Sequence, residues 1–302
     1  MNKVLQPSWI CGVLPALFAL VILLTGCAPQ PPAKPSISEQ ALQHNFNGVR
    51  ATLDSNFAYA RQQFDLSNQL YASIEDNEGR LLPLLNLSRL ERRLGLIEAA
   101  TRHIDLALRL TGSAPAEELA FEKALILLQQ GEVSQAANWA ERALAWTAPD
   151  QRSRNWNLLG RIALETGDLT KAQNCVSAAL TANPPITAME QANSLRLQGQ
   201  IFLQQKNLQQ AEIAFKQALE LDKQQELGSR MAADLEGLAD ISLQGQNRVA
   251  AAAFLQRALN LRIYNHDVSG ACEVFVRLKP LCQAPDSCGD LFFELQKRLQ
   301  CD

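Results

Sequence analysis

One spacing dominates the sequence. Ala-Leu pairs begin at positions 107, 143, 179, 218 and 258, separated by 36, 36, 39 and 40 residues. The same arrangement of small and large apolar residues recurs around each pair. A period of that length marks a stacked repeat, because one small helical unit cannot bury its apolar face alone and must lean on its neighbours. The expected fold class is all-α, an open-ended pile of helix pairs. The competing arrangement, a generic helical bundle, does not call for five copies in register.

The clearest copy has Trp156-Asn157-Leu158-Leu159-Gly160, then Ala163, Gly167-Asp168, Ala172, Val176, Ala179-Leu180 and Pro184. It resembles the tetratricopeptide repeat, a 34-residue helix-turn-helix unit with Trp, Leu-Gly, Tyr, Ala, Phe, Ala and Pro at fixed positions. Ala163 stands where Tyr is usual, and Val176 where Phe is usual. Further copies carry Leu195, Gly199, Phe202, Ala211 and Phe215; Leu235, Leu238-Ala239, Gly245, Ala251 and Leu255; Ala124, Leu127, Gly131, Ala136 and Ala140; and Leu84, Leu87, Gly95, Ala100 and Ile104. The resemblance covers residues 81–262 as about five repeats and implies a right-handed superhelix. Small residues let the two helices of a unit approach closely, and large ones fill the space between layers.

Residues 39–80 read as a helix pair that closes the N-terminal end of the stack. Leu42, Phe46, Val49, Leu53, Phe57, Ala60 and Phe64 fall at steps of three and four and mark one apolar face. Asp54-Ser55-Asn56 is a cap-and-turn sequence that divides the run. A single long helix is the alternative.

The N-terminus reads as an export signal. Lys3 precedes the uncharged, apolar residues 10–24, the arrangement of a secretory signal peptide. Fifteen residues of helix rise ~22 Å, short of the ~30 Å hydrocarbon core, and Pro15 interrupts them. Leu24-Thr25-Gly26-Cys27 resembles the lipobox of bacterial lipoproteins. That resemblance implies cleavage after residue 26, lipidation of Cys27 and acylation of its new amino group. Ala28, in place of an Asp, implies the outer membrane, with the body in the periplasm. Residues 27–38 are Pro-rich and form a semi-rigid tether.

The formal net charge is −3; without Lys3 the chain from residue 27 has 27 bases and 31 acids, or −4. That balance argues against electrostatic nucleic-acid binding. No Walker loop, GxGxxG, HExxH or GxSxG is present, and His44, His103 and His266 are widely separated. The expectation is a chain with no catalytic centre, no metal and no cofactor.

Seven cysteines occur, at 11, 27, 175, 272, 282, 288 and 301. Cys175 falls among helix core positions and reads as an inert buried thiol. The last four lie in residues 263–302, which read as a Cys-rich helical cap. In an exported chain they are expected to form two disulfides. Bonding Cys272 to Cys282, or Cys288 to Cys301, would span ~15 Å of helical rise, too far for a disulfide. An antiparallel hairpin instead sets Cys272 beside Cys301 and Cys282 beside Cys288. The layout locally resembles the coiled-coil-helix staple, although only the first spacing matches. A zinc site with His266 is the competing reading, and tightly paired CxxC spacing is absent.

In tetratricopeptide repeats the first helix of each pair lines the concave surface. Mapped onto this chain, those positions are Arg89, Arg92, Arg93, Phe121, Leu125, Leu128, Arg154, Asn157, Arg161, Arg196 and Gln200, with Glu236 and Asp240 at the far end. Of these, Arg89, Arg93, Phe121, Leu125, Arg154, Asn157, Arg161, Arg196 and Gln200 form the expected partner-binding set. Arginine pairs bidentately with carboxylates, so an acidic or extended protein segment is the expected ligand. A blander reading has these arginines neutralised locally, Arg92 and Arg93 by Glu91 and Arg161 by Glu165. The functional expectation is a lipid-anchored scaffold for an envelope protein or assembly intermediate. The alternative is an enzyme, or its regulatory subunit, acting on peptidoglycan or glycan.

Overall fold

The computed structural model describes residues 35–181 and 186–282. Thirteen α-helices and no strand occur among them. They are α1 (Ile37–Leu53), α2 (Phe57–Ser73), α3 (Leu81–Arg93), α4 (Ile97–Thr111), α5 (Glu117–Gln129), α6 (Val133–Trp146), α7 (Ser153–Glu165), α8 (Leu169–Leu180), α9 (Ala188–Gln204), α10 (Leu208–Gln224), α11 (Gly228–Gln244), α12 (Arg248–Tyr264) and α13 (Val268–Leu278). Each odd-numbered helix up to α11 packs antiparallel on the even one that follows, and each even helix packs on the next odd one. Odd helices also touch one another, α3 with α5, α7 with α9 and α9 with α11. The first helices of successive pairs therefore lie side by side and build one surface.

The turn within each pair has a single design. The backbone N–H three residues past the helix end reaches back to a carbonyl five residues earlier, as in Leu96 to Glu91, Glu132 to Leu127, Asp168 to Ala163, Asn207 to Phe202 and Asn247 to Ser242. This is a Schellman closure, and it forces the preceding residue into left-handed backbone. Gly95, Gly131 and Gly167 fill that place in three pairs, where a positive φ carries no steric penalty. Lys206 and Gln246 fill it in two others at φ 62° and 59°. Asp168, Asn207 and Asn247 then cap the next helix by accepting a backbone N–H. The same turn at Asp54-Ser55-Asn56 separates α1 from α2, so residues 37–73 are two helices.

Packing within pairs follows from missing side chains. Ala107, Ala143, Ala179, Ala218 and Ala258 are all fully buried. At Gly160 a Cβ would sit 2.5 Å from Leu197 and 3.2 Å from the Cys175 Cβ, so α7 rests directly on α8 and α9. At Gly48 a Cβ would sit 2.5 Å from the Phe64 ring.

The N-terminal pair departs from the sequence expectation. Ala60 and Phe64 are buried, but Leu42, Phe46, Val49 and Leu53 are exposed. The face that α1 turns inward is Ala41, Asn45, Gly48 and Ala51. The reason is the Phe64 ring, which fills the space over Gly48 and selects the small side of α1. At the other end, Phe57 at the start of α2 meets the His266 ring edge-on, with centroids 6.4 Å apart. The stack thus winds far enough to bring its first and last pairs together.

Residues 1–26, Cys27 and most of the tether lie outside the described residues, as do Cys288 and Cys301 and the second helix of the expected cap. No helix among the described residues is long and apolar enough to cross a membrane.

Candidate functional site

The concave surface carries a ladder of ion pairs that runs from each first helix to the next. Arg89 of α3 pairs with Glu118 of α5, and Arg92 of α3 with Glu122 at 2.6 Å. Arg154 of α7 reaches back to Glu117, 2.8 Å away, and to Glu118. Burial pushes the Glu118 carboxyl up, but Arg154 and Arg89 outweigh it and hold the group below the usual range. Asn157 of α7 donates to Glu190 of α9 at 2.9 Å. Arg196 of α9 donates to Asp234 of α11 at 2.8 Å and to Asp222 of α10. Arg277 of α13 pairs with Glu236 and Asp240 of α11.

This ladder corrects the expectation of a freely positive groove. Arg89, Arg92, Arg154 and Arg196 are consumed in holding adjacent repeats together. The local ion pairs expected for Arg92 and Arg93 with Glu91, and for Arg161 with Glu165, do not form either. Glu91 is fully buried and pairs with Arg61 and His103, at 3.0 and 2.6 Å. Arg93 stacks on the Phe57 ring, 5.0 Å from its centroid. No carboxylate lies within ion-pair distance of Arg161 among the described residues, Glu165 included.

A cavity of about 880 Å³ opens along this surface between α5 and α12. Phe121, Leu125, Arg154, Asn157, Arg161, Arg196 and Gln200 line it, whereas Arg89 and Arg93 do not. Leu158, Leu164, Met189, Leu197 and Leu203 supply more apolar wall. Arg154 lies over the Phe121 ring, 4.5 Å from the centroid. Two guanidiniums in the lining, Arg161 and Arg230, make no ion pair among the described residues, although Glu165 lies near the first and Asp222, Glu190 and Asp234 near the second. Arg161 is an exposed residue, yet protein is packed closely about its guanidinium. That enclosure pulls its guanidinium below the usual value; Glu165 opposes the shift and Arg92 adds to it. Arg230 donates to Asn193 at 2.7 Å, and burial, with Arg196 nearby, lowers it too. Arg230 escaped the sequence reading because it sits in the first turn of α11, ahead of the mapped positions.

Asp222 and Asp234 are both fully buried and share the single positive charge of Arg196. Burial, with Asp222 alongside, pushes Asp234 from 3.8 up to about 7 against the pull of Arg196. Asp234 therefore holds its proton more tightly folded than unfolded. Its contribution is full below about pH 4 and is lost as pH rises through about 7. We expect Asp234→Asn to be more stable than wild type at about pH 8 and to flatten the loss between about pH 5 and about pH 8. Urea unfolding at the two pH values measures this; parallel wild-type and variant profiles would refute it.

Residues 157–226 match the family model of the tetratricopeptide repeat. No curated protein sequence matches the chain. Among solved structures, the Cut9–Hcn1 hetero-tetramer of the APC/C is similar, with a TM-score of 0.60 and 16% identity over 86% of this chain and 46% of that one. The apo quorum sensor NprR from B. thuringiensis gives 0.58 and 12%, over 95% and 93%. A tetratricopeptide repeat protein from Parabacteroides merdae gives 0.52 and 14%, over 86% and 99%. The fold is a tetratricopeptide-repeat solenoid. This chain spans less than half of the Cut9–Hcn1 chain that it matches. Within the solenoid the matched span runs from α7 through α10, the pairs that carry most of the cavity wall.

Cys175 is buried, and burial pushes its thiol up, away from reactivity. No group of His, Cys, Asp and Glu among the described residues is arranged to hold a metal ion.

Proposed function

We propose that this chain is a membrane-anchored scaffold that binds an extended, acidic segment of a protein partner in the cavity between α5 and α12. The observation that carries the reading is a pair of guanidiniums, Arg161 and Arg230, that make no ion pair among the described residues and line a cavity with Phe121, Leu125, Leu158 and Leu197. A partly desolvated cation without a counter-charge gains most when a ligand supplies one. The surrounding arginines are already neutralised, so they position the wall and leave recognition to these two.

The test is charge reversal at both positions. Arg161→Glu combined with Arg230→Glu should cut affinity for an acidic partner segment by at least about 100-fold, since each desolvated charge pair at an interface is worth ~2 kcal/mol or more. Neither side chain makes an ion pair between repeats, and Arg230 is joined to α9 only by hydrogen bonds to Asn193 and Met189, so the melting curve should fall far less than on reversal of Arg196. Crosslinking to the native partner that survives the double reversal would relocate the site. Arg196 is unsuitable for such a test, because reversing it would unfold the stack before it weakened binding.

The membrane part of the reading rests on the sequence. The apolar residues 10–24, the Leu-Thr-Gly-Cys run ending at Cys27 and the Pro-rich tether support an acylated lipoprotein whose body works in the periplasm, at the outer membrane, in assembly of an envelope complex. Mass spectrometry of the mature chain should find acyl chains at Cys27, and Cys27→Ser should leave an uncleaved precursor. An unmodified Cys27 refutes the anchor. We also propose the pairs Cys272–Cys301 and Cys282–Cys288, which would close the C-terminal end of the stack. Non-reducing peptide mapping decides the connectivity.

A further inference from the structure

The first helix presents an apolar face that its own fold leaves uncovered. Leu42, Phe46, Val49 and Leu53 are 56%, 60%, 40% and 80% exposed. They advance by four, three and four residues and so form one narrow stripe ~16 Å long. Each later first helix from α3 to α13 has the preceding second helix laid against it, α2 on α3 and so on to α12 on α13. Helix α1 has no predecessor among the described residues. Solenoid ends need a polar outer face to stay soluble, and this end is not polar.

We propose that the stripe lies on the surface of the lipid bilayer to which the chain is tethered; the inference rests on the anchor reading given above. The chain ahead of the stripe favours this occupant. Cys27 and Ser36 are nine residues apart, at most ~28 Å of extended, Pro-rich chain. Helix α1 begins directly after Ser36, with a full capping box between Ser36 and Glu39. A lipid at Cys27 would hold the stripe near the bilayer with no flexible segment between cap and stripe.

Area argues against a second copy of the chain. Four partly exposed side chains on one helix face are a small patch beside the ~800 Å² per partner that a specific dimer buries. A bilayer needs no complementary shape. Charge also permits it. Helix α1 carries Glu39 and Arg50 as its only formal charges, one of each sign, and by helical phase both flank the stripe, with Gln43 next to them. Phe and Leu at the interface, with polar flanks at headgroup depth, is the composition of a helix that lies in the plane of a membrane surface. The helix is folded and capped beforehand, so docking costs no ordering of the backbone.

The experiment uses the full-length, acylated chain in proteoliposomes of phosphatidylethanolamine and phosphatidylglycerol. A photoreactive benzophenone side chain replaces Phe46 in one sample and Lys216, exposed on α10, in another. Phe46 should give lipid adducts several-fold above the Lys216 sample, and Leu42→Ser with Leu53→Ser should remove them without changing the melting curve. Adducts to a second copy of the chain, or to no lipid while the protein still floats with the vesicles, would overturn the proposal. A wild-type chain that carries no acyl group at Cys27 when isolated from its native membrane would overturn the anchor reading and this inference together, whereas an acylated chain that floats without lipid adducts at Phe46 overturns this inference alone.

Discussion

Replacing Arg196 with Ala should destabilise the solenoid by about 3–5 kcal/mol, the loss seen when one member of a buried ion pair is removed. Among the described residues, Arg196 is the only cation that contacts two fully buried carboxylates at once. Its Nε donates to Asp234 at 2.8 Å, one terminal nitrogen reaches Asp222 and Asp234, and the other donates to Asn193 at 3.0 Å. Without the guanidinium, Asp222 and Asp234 face each other in a site that water does not reach. Arg196→Lys should recover only part of the loss, since a point charge cannot bridge both carboxylates in the plane that the fork does. Adding Asp234→Asn and Asp222→Asn to Arg196→Ala should restore stability, because no buried charge would then lack a counter-charge. Urea unfolding followed by circular dichroism, run as a mutant cycle, measures the coupling. A loss below about 1 kcal/mol for Arg196→Ala would show that the three groups are solvated and independent.

The division between what the sequence reveals and what it hides follows from distance along the chain. The helix pairs were legible because their determinants are local. A buried Ala recurs at 107, 143, 179, 218 and 258, and a left-handed Gly or polar residue recurs in the turn before each second helix, followed by Asn or Asp at 56, 168, 207 and 247. The ion-pair ladder was not legible. Arg154 finds Glu117 and Arg196 finds Asp234, 37 and 38 residues away, and these pairings depend on how successive first helices are phased. The spacing shifts from 36 to 39–40 along the chain, so position alone does not fix the phase. The same limit explains Arg161. Its neighbour Glu165 lies one helical turn away, close enough in sequence to suggest a pair, yet the side chains do not meet. In α1 the periodicity located the apolar residues correctly but not the side that packs. A pattern of four large residues reads as core when a preceding helix covers it, and among the described residues none precedes α1.

The cavity wall is held in place by one side chain above others, and Phe215→Ala should cost about 3–5 kcal/mol. Phe215 is the bulkiest of the fully buried side chains among the described residues, at 1% exposure. Its ring projects from α10 into the gap between α9 and α11. A Cβ at Gly199 of α9 would come within 2.9 Å of that ring, and a Cβ at Gly237 of α11 would overlap it. Both flanking helices therefore contribute bare backbone, and the ring alone sets their separation. Truncation to Ala leaves a void between two backbones that cannot close it with side chains, which places the loss toward the upper end of the range. Because each repeat touches only its neighbours, the damage should be regional. Amide exchange should accelerate from α9 through α12, while α3 through α6 keep their protection. The reverse substitution supplies the control. Gly237→Ala should destabilise the wild type by overpacking, yet be neutral or favourable beside Phe215→Ala, where it fills part of the void. If the two substitutions add without coupling, the ring does not set the helix separation, and the close approach of α10 to α11 has another cause.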